Sequence, residues 1–118
     1  MAVFVFADKI QLQQVILNFL FNAAIAMEHT KSENKLIEIR QHSDKSTVTI
    51  SVRDQGPGVD PAIKEKLFQP FVTSRESGFG IGLAVSRSII DRHNGKIWTE
   101  NIEGGGAEFS FRIQIVKI

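Results

Sequence analysis

Asp8-Lys-Ile-Gln-Leu-Gln-Gln-Val-Ile-Leu-Asn-Phe-Leu-Phe-Asn-Ala-Ala-Ile-Ala-Met27 is the stretch on which the fold turns. It contains no Gly and no Pro, and no charge lies between Lys9 and Glu28. Asp8 can cap the first turn, and most of the residues that follow are good helix formers. The stretch is apolar nearly all round, which predicts a helix buried on several sides. One line breaks that pattern: Gln11, Gln14, Asn18 and Asn22, spaced by three or four residues and hence on one helical face. An uncharged polar stripe on a buried helix suggests the wall of a polar cleft. Amides satisfied by nearby backbone would look the same, and for Gln11 and Gln14 that plainer reading is preferred. For Asn18 and Asn22 the answer depends on what faces them.

Working outward, Val3–Phe6 is a short β-prone run before the helix, and residues 29–34 form a polar break. Leu36–Arg40 reads as a strand, with a turn near Ser43–Lys45. Thr47–Val52 alternates with period two, so the pair predicts a hairpin. Asp54-Gln55-Gly56-Pro57-Gly58 cannot continue a sheet. Asp60-Pro61 opens a short helix to about Phe68. Gln69–Phe79 is irregular. Gly80-Ile81-Gly82 leads into a second long helix to about His93, which Asn94-Gly95 closes in a left-handed cap. Lys96–Asn101 and Glu108–Val116 are strands joined by the Gly104–Gly106 turn. The strands come in adjacent antiparallel pairs rather than in β-α-β units. That order predicts an α+β fold, a two-layer α/β sandwich with helices on one face of a mixed sheet, and argues against a doubly wound nucleotide fold.

The 118 residues fit one domain, 1–118, with a real core. Apolar residues make up 42% and charged residues 23%, as in ordinary soluble domains. A net charge of +1 supplies no case for bulk nucleic-acid or membrane binding. There is no cysteine, which excludes disulfides and thiolate metal sites. No apolar run approaches bilayer length and no secretory leader is visible. Trp98 is the only Trp, there is no Tyr, and the Phe residues read as core. His29, His42 and His93 have no metal-ligand spacing.

Three small motifs carry chemistry. Asp54-x-Gly56-x-Gly58 ends a strand. A buried Asp accepts only, so it can take the exocyclic amine of adenine and would repel the carbonyl that guanine presents there. Two glycines allow a planar ligand close to backbone. Alone, the motif also reads as a plain turn. Gly78-Phe79-Gly80-Ile81-Gly82-Leu83 is a glycine-rich approach to a helix N-terminus, where free N–H groups and the helix dipole can cradle phosphate. It is neither a Walker A loop nor a Rossmann fingerprint. Asn18 and Asn22 offer hard neutral oxygens suited to Mg²⁺. An adenine acceptor, a phosphate cradle and a Mg²⁺ wall are the parts of an ATP site.

Together these residues resemble the catalytic ATP-binding domain of sensor histidine kinases, of the superfamily shared with DNA gyrase, the ninety-kilodalton heat-shock protein and a mismatch-repair ATPase. Asn18-Phe-Leu-Phe-Asn22-Ala23 is similar to the asparagine box, and Asp54-Gln-Gly56-Pro-Gly58 to the first glycine box. Leu67-Phe68-Gln69-Pro70-Phe71-Val72-Thr73-Ser74 is similar to the phenylalanine box. Gly78 to Leu83 resembles the second glycine box, and Gly104-Gly-Gly-Ala-Glu-Phe109 the terminal glycine turn. Each is weak alone, and five in order make a specific signal. The resemblance implies a Bergerat-type sandwich of a mixed sheet against three helices, with ATP and Mg²⁺ as ligands. Asn18 and Asn22 would meet the metal, and Asp54 the adenine amine. Gly56, Gly58, Phe71, Thr73, Gly78, Gly80, Ile81, Gly82 and Leu83 would complete the nucleotide contacts, under a lid from about Gln69 to Phe79.

The hydrolytic branches carry a Glu four residues before the metal Asn as base for water. Here that position is Asn18, which has no useful basicity. This favours phosphoryl transfer to a protein side chain. Ile25 stands where some of these kinases carry Lys, and Arg75 is the candidate phosphate cation, with a solvated loop charge as its alternative. Phe79 stands where a small residue is commoner. No His has the context of a phosphoacceptor. The expected partners are therefore a histidine-containing dimerisation hairpin and, downstream, a response regulator. The domain itself is expected to be monomeric and cytoplasmic, even within a membrane-anchored parent. Two rival readings are a stand-alone serine kinase of the anti-sigma type and a nucleotide-binding module whose catalysis has decayed.

Overall fold

Helix α1 forms over Lys9–Ala26, with the Asp8 carboxylate accepting the Gln11 N–H as its cap and Met27 closing it. The computed structural model describes residues 4–28, 35–69 and 82–116. The other elements are β1 (Glu38–Ser43), β2 (Thr47–Arg53), a 3₁₀ turn (Lys64–Lys66), α2 (Leu83–Arg92), β3 (Lys96–Asn101) and β4 (Ala107–Gln114). The β1–β2 hairpin turns on Asp44, whose carboxylate accepts the N–H groups of Ser46 and Thr47 at 2.8 and 2.7 Å. Those bonds, backbone first, lower its pKa to about 2. Helix α2 is capped by His93, and Asn94 takes the expected left-handed conformation at φ 56°.

The four strands form one sheet in the order β1-β2-β4-β3. All three pairings are antiparallel, so among the described residues the sheet is antiparallel rather than mixed. Two of the pairs are hairpins, which need no crossover. Of the Val3–Phe6 run, residues 4–6 form no strand, although the Phe4 carbonyl accepts the Val116 N–H at 2.7 Å. The α+β class holds, but the described helices are two α-helices and a 3₁₀ turn. The expected 60–68 helix stays short because successive i→i+3 bonds wind it too tightly: Ile63 N–H to Asp60 O, Lys66 N–H to Ile63 O, Gln69 N–H to Lys66 O.

One sheet face builds the core. Val48 and Val52 of β2 and Phe109, Phe111 and Ile113 of β4 pack with Val15, Phe19 and Ala23 of α1 and Leu83, Ile89 and Ile90 of α2. Phe19 sits between two strand aromatics, 5.6 Å from Phe109 and 6.1 Å from Phe111 between ring centroids. The other face is polar: Ser51 and Ser110 share a hydrogen bond, Arg53 pairs with Glu108, and Arg112 lies over Trp98. Helix α1 departs from its sequence reading. Ile10, Leu17 and Phe21 are 76%, 53% and 62% exposed, so the helix is buried toward the sheet and α2 but open along a third side.

Candidate nucleotide site

Asn18 and Asn22 stand one turn apart on α1, at the seam with α2. Asn18 Nδ2 donates to the Gly82 carbonyl at 3.2 Å and to Ser86 Oγ at 3.1 Å. Asn22 is fully buried, and its Nδ2 donates to the Asn18 carbonyl at 2.8 Å. Both amide nitrogens are thus held by protein oxygens. The oxygen end is the one chemically suited to a hard cation. Gln14 is exposed and Gln11 half-buried, so the polar line deepens toward Asn22.

Asp54 follows β2 and is 2% exposed. Its Oδ1 accepts the Gly56 N–H at 2.8 Å and the Ala107 N–H at 3.2 Å. Its Oδ2 is buried and has no hydrogen-bond partner among the described residues. Burial raises the pKa above its ordinary 3.8, against the two backbone bonds that lower it. A buried carboxylate oxygen without a donor is costly, and a ligand amine is the group that would satisfy it. The adenine expectation therefore fits the residues present.

The glycines of this loop permit close approach to the protein's own atoms. A Cβ on Gly56 would lie 2.7 Å from the Ala26 carbonyl oxygen, and one on Gly58 2.9 Å from Asn101 Oδ1. Their missing side chains let the loop close on α1 and β3. Gly82 begins α2 with φ 74°, and a Cβ there would meet the Asn18 amide at 2.5 Å. Leu83 is fully buried in the core. Phe71, Thr73, Arg75, Gly78, Gly80 and Ile81 lie outside the described residues, as does the expected lid beyond Gln69.

The structure thus gathers Asn18, Asn22, Gly82 and Ser86 at the helix seam, and Asp54, Gly56 and Ala107 at the sheet end. Ala26, at the end of α1, meets Gly56 and joins the two groups. Sequence reasoning passed over Ser86 and Asn101. Ser86 left a signal, since a polar residue sits between Leu83 and Ile90 on the buried side of α2. Asn101 left none. Among the described residues no cluster of His, Cys, Asp or Glu could hold a metal ion. A cleft of about 780 Å³ between α2 and the β3 edge, lined by Lys64, Phe68, Arg87 and Trp98 among others, includes none of these residues.

Residues 7–117 match the family described as histidine kinase-, DNA gyrase B-, and HSP90-like ATPase. The chain is 37% identical over 109 residues to the sensor protein FixL of Bradyrhizobium diazoefficiens, covering 92% of this chain and 21% of FixL. It is 41% identical over 110 residues to the signal transduction histidine-protein kinase AtoS of Escherichia coli, covering 92% of this chain and 17% of AtoS. The chain spans 12–30% of the length of such relatives. Among solved structures it is similar to the catalytic domain of histidine kinase ThkA, with a TM-score of 0.81 and 41% identity over 93% of this chain and 70% of that one. ThkA has also been solved in complex with the response regulator protein TrrA; that kinase chain gives a TM-score of 0.78 at 39% identity, over 95% of this chain and 30% of its own. With the family pattern running through nearly its whole length, and a fold shared with such a catalytic domain, this chain belongs to the histidine kinase-, DNA gyrase B- and HSP90-like ATPases.

Proposed function

We propose that this chain binds Mg²⁺-ATP and transfers its γ-phosphoryl group to a histidine on a separate dimerisation hairpin of a two-component sensor kinase. The observation that carries the reading is the buried Oδ2 of Asp54, which has no partner among the described residues and which an adenine amine would complete. Asp54 holds and orients the base, and its negative charge disfavours guanine. Asn18 and Asn22 offer amide oxygens to Mg²⁺, which when bound neutralises developing charge on the phosphates. Gly82 and the first turn of α2 lie beside Asn18, where a phosphate tail would run.

In the transfer, the bond from the γ-phosphorus to the bridging oxygen breaks and a phosphorus–nitrogen bond forms at the imidazole, with ADP as leaving group. No basic side chain is needed to activate water. The position that supplies one in hydrolytic relatives is Asn18, whose amide is tied to α2. The phosphoacceptor hairpin and, downstream, a response regulator are the partners. The reaction belongs in the cytoplasm, where ATP is available.

Incubation with γ-labelled ATP and a separate histidine hairpin tests the reading. Acid-labile label on the hairpin histidine is the expected result. Acid-stable label on a Ser of a partner protein would point to the anti-sigma-type kinase. Binding with no transfer to any acceptor would point to a decayed module.

A further inference from the structure

The loop that presents Asp54 is held at its far end by a residue outside every motif. Asn101, the last residue of β3, donates from Nδ2 to the Val59 carbonyl at 2.8 Å and accepts the Val59 N–H on Oδ1 at 2.8 Å. One carboxamide thus satisfies both backbone groups of a buried residue, as a neighbouring strand would. Gly58, at φ 84°, runs close beneath that amide.

The near end is held by Ala107. Asp54 N–H donates to the Ala107 carbonyl at 2.9 Å, and Ala107 N–H donates back to Asp54 Oδ1. Asn101 and Ala107 are direct partners across the β3–β4 ladder. A single rung of that hairpin therefore grips both ends of the 54–59 loop.

We propose that Asn101 is a positioning residue for base recognition: its double bond to Val59 fixes the loop in which Asp54 Oδ2 faces the ligand amine. The inference rests on the reading that Asp54 meets adenine. Only an amide supplies a donor and an acceptor at this reach. Asp would keep the acceptor but set a second oxygen against the Val59 carbonyl. Ala would leave both Val59 groups without partners. In either case nucleotide binding would first have to order the loop.

Titration calorimetry on the whole chain, with Asn101→Ala, Asn101→Asp and Asp54→Asn, tests this. Circular dichroism confirms folding, and the Asp variant, which keeps one bond, serves if the Ala variant does not fold. ATP affinity should fall about tenfold on loss of Asn101, the scale of one to two net hydrogen bonds. In the Asp54→Asn background the same change should cost less than about twofold, because Asn101 acts through Asp54. Unchanged ATP affinity in a folded Asn101 variant, or an equal loss in both backgrounds, would overturn the proposal. Unchanged affinity in Asp54→Asn alone would bring down the nucleotide-site reading itself and this inference with it, a result distinct from the other two.

Discussion

Burying the Asp54 carboxylate, with one oxygen lacking a partner among the described residues, costs the folded chain stability at neutral pH. The sign follows from its raised pKa. The folded state holds this proton more tightly than the unfolded state does. The group's contribution is therefore full below pH 3.8 and is lost as pH rises through the folded value. Asp54→Asn removes the buried charge while its amide oxygen can still accept from Gly56 and Ala107. It should raise the melting temperature at pH 7 and weaken ATP binding at least about tenfold, since an NH₂ group would then face the adenine amine. A calorimetric titration beside a thermal melt reads both, and an Asp54→Asn chain binding ATP as before would remove Asp54 from the site. Asn22→Ala should leave the chain folded, lose phosphotransfer to a histidine hairpin, and weaken nucleotide binding mainly when Mg²⁺ is present. Transfer at the normal rate in that variant would disprove the metal role. Both residues stand out in the sequence as candidates because polar side chains in apolar or strand-ending contexts are conspicuous. That Asp54 Oδ2 lacks a donor among the described residues was not legible, because the atoms that fail to reach it belong to other segments.

At the scale of elements, local chemistry explains most boundaries. Helix α1, the β1–β2 turn, the left-handed close of α2 and strand β3 fall where caps, turn residues and periodicity put them. Asp44 is a clear case, since its side chain makes the turn that the sequence marks. Its depressed pKa means that the turn is fully supported above about pH 4 and loses support as pH falls through about 2. Asp44→Ala should make hydrogen exchange in β1 and the start of β2 fast at pH 7 and remove its change with acid. Exchange there that matches the parent chain would show that β1 is held by its ladder alone. The element readings that failed did so for lack of local information. Residues 60–68 have a helical lead-in but settle into a 3₁₀ turn, and the open side of α1 is as apolar as its buried sides, so period could not tell them apart.

At the scale of the whole molecule, the candidate site draws on α1, the loop after β2, the start of α2 and the β3–β4 hairpin. A ligand bridging these elements should stabilise the fold as a unit. ATP at a hundred times its Kd should add about 2.7 kcal/mol, or a rise in melting temperature of about 10 °C. GTP should give far less of that rise, and Asp54→Asn should lose most of it in differential scanning fluorimetry. Equal shifts with ATP and GTP would mean that no carboxylate reads the base.

Residue pattern alone determined the α+β class, most of the run of elements and the side chains most worth testing. These are matters of capping, periodicity and turn chemistry, settled within a few residues along the chain. Tertiary structure decided the antiparallel sheet, the hold of Ser86 on Asn18 across 68 residues, that of Ala107 on Asp54 across 53, and that of Asn101 on Val59 across 42. It also decided that the loop glycines make room for the protein's own backbone and side chains. The physical reason is that a hydrogen bond or a close approach between distant segments depends on how both are placed in space, and neither segment carries a local mark of its partner.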